Sequence, residues 1–273
     1  MSNRSSYKLG LIGGGVMGEA LLSRLVREEI YAASDILVSD PQEQRRDYLE
    51  TQYTIHTTAD NQAVYLHSET LLLAIKPQLF DVVVRELPVG APEVQHLVLS
   101  ILAGTPIHRL EAAFSGQPVI RAMPNTPAIV GVGMTAIAPG QHAKPEHLEQ
   151  ARRIFGAVGE VVDVPEYQMD AVTGLSGSGP GYLAVIIEAL TDGGVAAGLP
   201  RAIAAQLALQ TVRGTAELLH ETGMHPAELK DRVTSPGGTT IAGIAELESS
   251  SIRSALIEAV CAACDRSKEL GKS

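Results

Sequence analysis

The chain has 273 residues, enough for one large domain or two ordinary ones with a sizeable buried core. Its 45% hydrophobic and 19% charged content excludes an intrinsically disordered chain. A formal net charge of −10 argues against nucleic acid or an anionic membrane surface as the main partner, though not against a small anion held locally.

The opening MSNRSSYKLG carries no apolar leader. The first half then alternates β-branched runs with helical periods. KLGLIG (8–13) is a strand, followed by an amphipathic run with Met17, Leu21, Leu22, Leu25 and Val26 on one face. DILVSD (35–40) is a second strand, YTIHTT (53–58) a short third, and NQAVYLHSE a short helix. TLLLAI (70–75) is apolar throughout, as a strand buried on both faces of a parallel sheet should be. HLVLSIL, PVIRAM, GMTAIAP and GEVVDVP supply later strands, with helices expected around 79–86, 106–113 and 145–156. This alternation predicts a mostly parallel, doubly wound sheet of Rossmann type over 1–165.

After Pro165 no strand follows, and Ala-, Leu- and Gly-rich helical runs are expected at 167–175, 179–198, 200–222, 226–232, 239–248 and 250–270. The most apolar stretch, GYLAVIIEALTDGGVAAGL, is interrupted by Glu188 and Asp192. It reads as a buried helix and not a membrane span, and the expected location is cytoplasmic. Residues 166–273 therefore form an all-α bundle or dimerisation domain. Cys261 and Cys264 form C-x-x-C late in the last helical run. With no second Cys pair or neighbouring His they read as two thiols on one helical face, and no metal requirement is expected.

Gly13-x-Gly15-x-x-Gly18 sits between the first strand and the first helix. The first glycine allows a tight turn, the second a close approach of backbone to a pyrophosphate, the third the packing of helix on strand. The helix N-terminus adds free amides for the phosphates. Asp40 ends the second strand where an acid can bind the adenosine ribose hydroxyls, which favours NAD. Arg45 and Arg46 follow and could meet a 2′-phosphate or form a solvated helix face, so the cofactor stays open between the two. Lys76 and Pro77, SILAG (100–104) and MPNTPA (123–128) end later strands at the edge where open α/β sheets bind ligands.

In the helical half, Pro-Gly-Gly interrupts the run DRVTSPGGTTIAGIAELE (231–248). If a helix begins near Thr239, the amides around Gly237 and Gly238 and the hydroxyls of Ser235, Thr239 and Thr240 make a carboxylate seat without a formal charge. A locally capped loop is the alternative. HETGMH (220–225) lacks the helical spacing of a zinc-protease motif, and GLSGSGPGY (174–182) lacks the closing glycine of a nucleophile elbow.

Taken together, AVTGLSGSGPGYL, DGGVAAGLPR, LKDRVTSPGGTTIAGIAELE, LAIKP and RAMPNTPAIVGVGMTA resemble the Δ1-pyrroline-5-carboxylate reductase family across nearly the whole chain. The resemblance implies NADPH-dependent reduction of the cyclic imine 1-pyrroline-5-carboxylate to L-proline, with NADH possible. It implies that Ile12, Gly13, Gly14, Gly15, Val16 and Met17 bind the pyrophosphate, with Asp40 and Asn61 near the adenosine. Ala74, Ile75, Lys76 and Pro77, with Ile101, Leu102 and Ala103, would line the cofactor, and Asn125 would lie near the nicotinamide. Ser235, Gly238, Thr239 and Thr240 would hold the substrate carboxylate, Thr240 also orienting the imine nitrogen or relaying a proton. Asp40 stands where NADPH-preferring relatives often carry a small polar or Asn-type residue. The family further implies a homodimer with interlocked helical domains, and a decamer built from such dimers.

Two rivals carry different chemistry. A hydroxyacid or prephenate type of dehydrogenase needs a Lys or His to accept a hydroxyl proton, and Lys230 is the Lys near the substrate loop. A non-catalytic dinucleotide sensor would use the same fold without turnover.

Overall fold

The computed structural model describes residues 7–89 and 95–271; the opening residues read above for a leader lie mostly outside them. Tyr7–Ile12 forms β1, and Val16–Arg27 forms α1, which buries Leu21, Leu22 and Leu25. Ile36–Ser39 (β2), Glu43–Tyr53 (α2), His56–Thr58 (β3) and Asn61–His67 (α3) come next. Ser68–Leu73 (β4), Phe80–Glu86 (α4), Leu97–Ser100 (β5) and Ile107–Ala113 (α5) lead to Val119–Met123 (β6). Gly133–Pro139 (β7), Pro145–Gly156 (α6) and Gly159–Asp163 (β8) close this half.

The strands form one sheet in the order β3-β2-β1-β4-β5-β6-β7-β8. All neighbours from β3 to β6 run parallel, β7 is antiparallel to β6, and β8 is parallel to β7. The chain reverses direction across the sheet between β1 and β4, which is the switch point of such folds. Both faces are buried, as the unbroken apolar runs require. Leu9 and Leu11 of β1, Leu72 and Leu99 pack with Leu21, Leu25 and Phe155 on one side. Ile12, Leu71, Leu73 and Val98 pack with Tyr65, Phe80 and Leu110 on the other. The two-residue period of a strand sorts neighbours such as Leu71 and Leu72 to opposite faces.

Three stretches differ from the sequence pattern. The segment 43–53 carries no apolar stripe, yet it is helical, and only Leu49 is buried along it. Because that helix runs to Tyr53 and ends on Thr54 in the left-handed region (φ +56°), the strand expected from 53 begins only at His56. The helix expected over 167–175 is instead a 3-10 turn, a single helical turn at Met169–Val172 (α7) and a π-helical turn at Thr173–Gly177.

Gly179–Ala196 (α8), Arg201–Thr222 (α9), Pro226–Arg232 (α10), Thr239–Ser249 (α11) and Ile252–Leu270 (α12) complete the chain. Contacts divide the molecule into two compact units, Ser178–Ala262 and the remainder, so residues from Ala263 onward belong with the sheet. In the helical unit a Cβ added to Gly194 would lie 3.0 Å from that of Ala204, so these small residues let α8 and α9 approach closely. In the sheet unit the end of α12 is fixed by the Ser267 hydroxyl, which donates to Asp170 Oδ1 at 2.7 Å, and by Leu270 lying against Gly104. Among the described residues no helix is long and apolar enough to cross a membrane.

Candidate active site

The glycine turn follows β1 at the switch point. Gly13 has φ +104°, its N–H donates to Ser39 O at 2.9 Å, and a Cβ there would meet Ala74 O at 2.7 Å. A Cβ on Gly18 would lie 2.5 Å from Gly13 O, so α1 sits directly on the turn. At Gly15 an added Cβ meets nothing within 4 Å. Gly15 is the N-cap of α1, extended (φ −67°, ψ −172°) and without a side-chain cap, so the first-turn N–H groups are unfilled. Val16 is exposed, whereas Met17 packs against the core and can offer only its backbone to a ligand. Ile12 is buried as well and can offer only backbone.

Asp40 binds the glycine turn through Oδ2, which accepts from Gly14 N–H at 3.1 Å, while Oδ1 accepts from Gln42 N–H ahead of α2 at 2.9 Å. Asn61, at the carboxyl end of β3, accepts from the Ser39 hydroxyl at 2.7 Å and donates to Glu86 Oε2 at 3.1 Å. Arg46 reaches back to the carbonyls of Asp40 and Pro41 at 2.8 and 3.2 Å. Arg45 is not part of a solvated helix face. Its Nε donates to Gly14 O at 2.5 Å, its Nη2 pairs with Glu19, and its guanidinium lies 5.1 Å over the Tyr48 ring. Glu19 also accepts from Tyr48 and Tyr53 hydroxyls at 3.0 and 2.8 Å. Burial alone would raise the Glu19 carboxyl, but the bonds from Arg45, Tyr53 and Tyr48 outweigh it and hold it below the ordinary value. Burial and the bond to Glu19 together push the Tyr53 hydroxyl up.

Ala74 follows β4 and donates to Ile12 O at 2.9 Å, which ties the 74–77 turn to the end of β1. Lys76 is exposed and Pro77 opens a 3-10 turn. Ile101 and Ala103 are accessible after β5, but Leu102 points into the core and presents only backbone. Pro77, Gln78, Ala103, Gly104, Thr105 and Leu270 line part of a cavity of about 530 Å³ between these turns. Asn125, after β6, is a brace: Oδ1 accepts from Met134 N–H at 2.8 Å and Nδ2 donates to Ser176 O of the π-helical turn at 3.1 Å. A second cavity of about 470 Å³, beside Thr70, His96 and Leu97, opens at the amino ends of the strands, the edge where such sheets do not bind their ligands.

In the helical unit, Ser235-Pro236-Gly237-Gly238 makes a β-turn closed by Gly238 N–H on Ser235 O at 3.0 Å. Gly237 has φ +66°, the pattern of a type II turn with Pro first and Gly second. Gly238 is the extended N-cap of α11 (φ −77°, ψ 174°), again with no side-chain cap, and Ser235, Thr239 and Thr240 are exposed. A Cβ on Gly238 would meet Ser235 Oγ at 2.4 Å. Lys230 pairs with Asp231 at 3.2 Å on α10, and His225 caps that helix by accepting from Ala227 N–H at 3.2 Å. Among the described residues no group of three or more His, Cys, Asp or Glu could hold a metal ion.

Sequence reasoning missed the Glu19 cluster and the bracing role of Asn125. Opposite charge at positions 19 and 45 was visible, but only the sheet brings α1 and α2 together. The Asn before Thr-Pro-Ala carried no sign that its amide would span a later strand and a later turn.

The fold and its glycine turn define a protein with a dinucleotide-binding type of sheet domain followed by helices. Residues 8–104 match the family model described as NADP oxidoreductase, coenzyme F420-dependent, and residues 166–270 match pyrroline-5-carboxylate reductase dimerisation. The chain is 59% identical over 267 residues to a pyrroline-5-carboxylate reductase of Synechocystis sp., covering 98% of this chain and 99% of the relative. Its structure is similar to that of the Coxiella burnetii pyrroline-5-carboxylate reductase, with a TM-score of 0.90 at 33% identity over 98% of this chain and 100% of the other. The Plasmodium falciparum pyrroline carboxylate reductase, solved with NADP bound, gives a TM-score of 0.86 at 30% identity over 98% and 100%. The chain belongs to the pyrroline-5-carboxylate reductase family. Its activity is the NAD(P)H-dependent reduction of the carbon–nitrogen double bond of 1-pyrroline-5-carboxylate, a step of proline biosynthesis.

Proposed function

We propose that the glycine turn seats the diphosphate of the dinucleotide and that the Ser235–Thr240 turn seats the carboxylate of the imine substrate. One observation carries the reading: α1 and α11 both begin on an extended glycine with no side-chain cap. Each therefore offers unfilled amides and the positive end of a helix dipole to an anion. The residues present fit a dinucleotide, because the space beside Gly15 is open and the backbone around it is already fixed.

Asp40 uses one acceptor site on Oδ2 for the glycine turn and one on Oδ1 for Gln42 N–H, and keeps others for ribose hydroxyls, so NADH is compatible with it. NADPH is the cofactor we assign from the family, with the ratio of the two left to measurement. Asn61 stands beside Asp40, and Ala74–Pro77, Ile101–Ala103 and Asn125 flank the nicotinamide half. The bound reduced nicotinamide supplies a hydride to the imine carbon.

The chain's own residues orient the reactants. The amides after Gly238 and the hydroxyls of Ser235 and Thr239 hold the carboxylate, and Thr240 orients the ring nitrogen. None of these side chains titrates near neutrality. The nitrogen takes its proton from water before reduction and ends as the secondary amine, so catalysis rests on proximity and orientation. Lys230, paired with Asp231, has no part in this scheme. Residues 166–273 serve as the substrate-binding and dimerisation domain. Val185, Leu209 and Ile257 are 65%, 57% and 64% exposed in the single chain, an apolar surface that a second copy would cover. We assign an interlocked homodimer, with a decamer as its further assembly.

The test follows absorbance of NADPH, and separately NADH, with pyrroline-5-carboxylate for wild type, Ser235→Ala and Thr240→Ala. The variants should lose about 10- to 100-fold in kcat/KM, the scale of a hydrogen bond to a charged group. The NADPH:NADH ratio reads the role of Asp40. Turnover unchanged in both variants would overturn the substrate assignment. Loss of turnover in Lys230→Ala alone would favour a hydroxyacid type of chemistry.

A further inference from the structure

The assignment of the glycine turn to the diphosphate leaves unexplained why α2 sends an arginine into it. The Gly14 N–H is taken by Asp40 Oδ2, and the Gly14 carbonyl is taken by Arg45 Nε. In a trans peptide the carbonyl and the following N–H point in opposite directions, and none of the described peptides is cis. The grip of Arg45 on the Gly14 carbonyl therefore turns the Gly15 N–H away from α2. It faces the side where an added Cβ would meet no atom.

Arg45 is in turn held. Its Nη2 pairs with Glu19 of α1, and both side chains are largely buried, at 24% and 22% exposure. Tyr48 and Tyr53, also from α2, donate to the other Glu19 oxygen, and the Tyr48 ring lies under the guanidinium. Four side chains from two helices thus converge to fix one peptide plane. An arginine with two of its donors spent and a ring beneath it is poorly placed to follow a mobile 2′-phosphate.

We propose that Arg45, locked by Glu19, is a positioning residue that presets the Gly14–Gly15 peptide for the cofactor's diphosphate and does not read the 2′ position. The inference rests on the cofactor reading given above. It separates two adjacent arginines, since Arg46 instead grips the carbonyls of Asp40 and Pro41. The diphosphate is common to NADH and NADPH, so the clamp serves both equally.

The experiment measures dissociation constants of NADPH and NADH by fluorescence titration for wild type, Arg45→Met and Glu19→Gln. Melting temperature and KM for pyrroline-5-carboxylate are recorded beside them. Both constants should rise together by about tenfold, the worth of one charge-assisted hydrogen bond, with their ratio and the imine KM unchanged. A rise for NADPH alone would show that Arg45 reads the 2′-phosphate and would overturn the proposal. A lower melting temperature with both constants unchanged would overturn it too, since the cluster would then be purely structural. If Arg45→Met does not fold, the near-isosteric Glu19→Gln carries the test. Wild type that binds neither dinucleotide brings down the cofactor reading itself, an outcome distinct from the other two.

Discussion

The two glycine-started helices, α1 and α11, present the same extended N-cap to solvent and are built in opposite ways. The turn before α1 is held from a distance: Ser39, Asp40, Arg45 and Ala74 all reach it from other elements. The turn before α11 is held by itself, through Gly238 N–H on Ser235 O and the positive φ of Gly237. The contrast suits the roles proposed above, since a seat for a large dinucleotide has to keep register with a sheet whereas a seat for a small carboxylate needs only a local turn. Damage to the first should therefore spread, and damage to the second should stay local.

The sharpest way to break this contrast is Gly13→Ala. The substitution must adopt φ +104° and push against backbone Ala74 O, which cannot rotate away. It should cost about 3 kcal/mol of stability and weaken both dinucleotides by about a hundredfold. Denaturant unfolding and cofactor titration check it, and a near-wild-type result would remove the claim that the turn is held by its surroundings.

A milder effect is expected of Gly238→Ala. Its new Cβ meets Ser235 Oγ, the end of a small side chain that can change rotamer. A loss of about 1 kcal/mol is expected, with little change in cofactor affinity. Ser235→Ala combined with Gly238→Ala should recover most of that stability. A double variant no better than the single one would place the strain in the backbone, against a self-contained turn.

The smallest effect separates the regions by pH. The Glu19 carboxyl lies below its ordinary value of 4.5, so its contribution is present above that value and lost as pH falls through the folded-state pKa. The gap in melting temperature between wild type and Glu19→Gln should narrow as pH drops below 4.5. The gap between wild type and Thr240→Ala should not change with pH, because that turn carries no titratable side chain. A gap for Glu19→Gln that is constant with pH would deny the cluster its charge.

Much of this plan was legible before any coordinates. Apolar runs such as TLLLAI placed the buried strands, and Gly13, Gly15 and Gly18 marked the switch point, because backbone sterics leave a local signature. The Pro-Gly-Gly interruption likewise placed the start of α11 at Thr239. What stayed hidden was anything fixed by packing. Segment 43–53 is polar nearly throughout, so its helix has no stripe to read, and Arg45 looked like one charge among several. Leu102 was expected among the residues lining the cofactor; it lies beyond β5 with its side chain in the core, a placement set by packing that no strand period reveals. Asn125 is committed to Met134 and Ser176, partners that no spacing rule would name.

The return of residues from Ala263 onward to the sheet unit makes the helical unit an insertion and not an appendage. Two covalent strands of chain, one at Gly177–Ser178 and one within α12, join it to the sheet. A single proteolytic nick at the first junction would leave the two fragments held together only by the packing of the residues from Ala263 onward in the sheet unit. Expressing residues 1–165 alone would strip the contact of Leu270 on Gly104 from the turn after β5, together with the Asp170–Ser267 bond. A circular permutant opened between Ala262 and Ala263, with the natural ends joined, is the rearrangement that leaves the two units a single covalent crossing, at Gly177–Ser178.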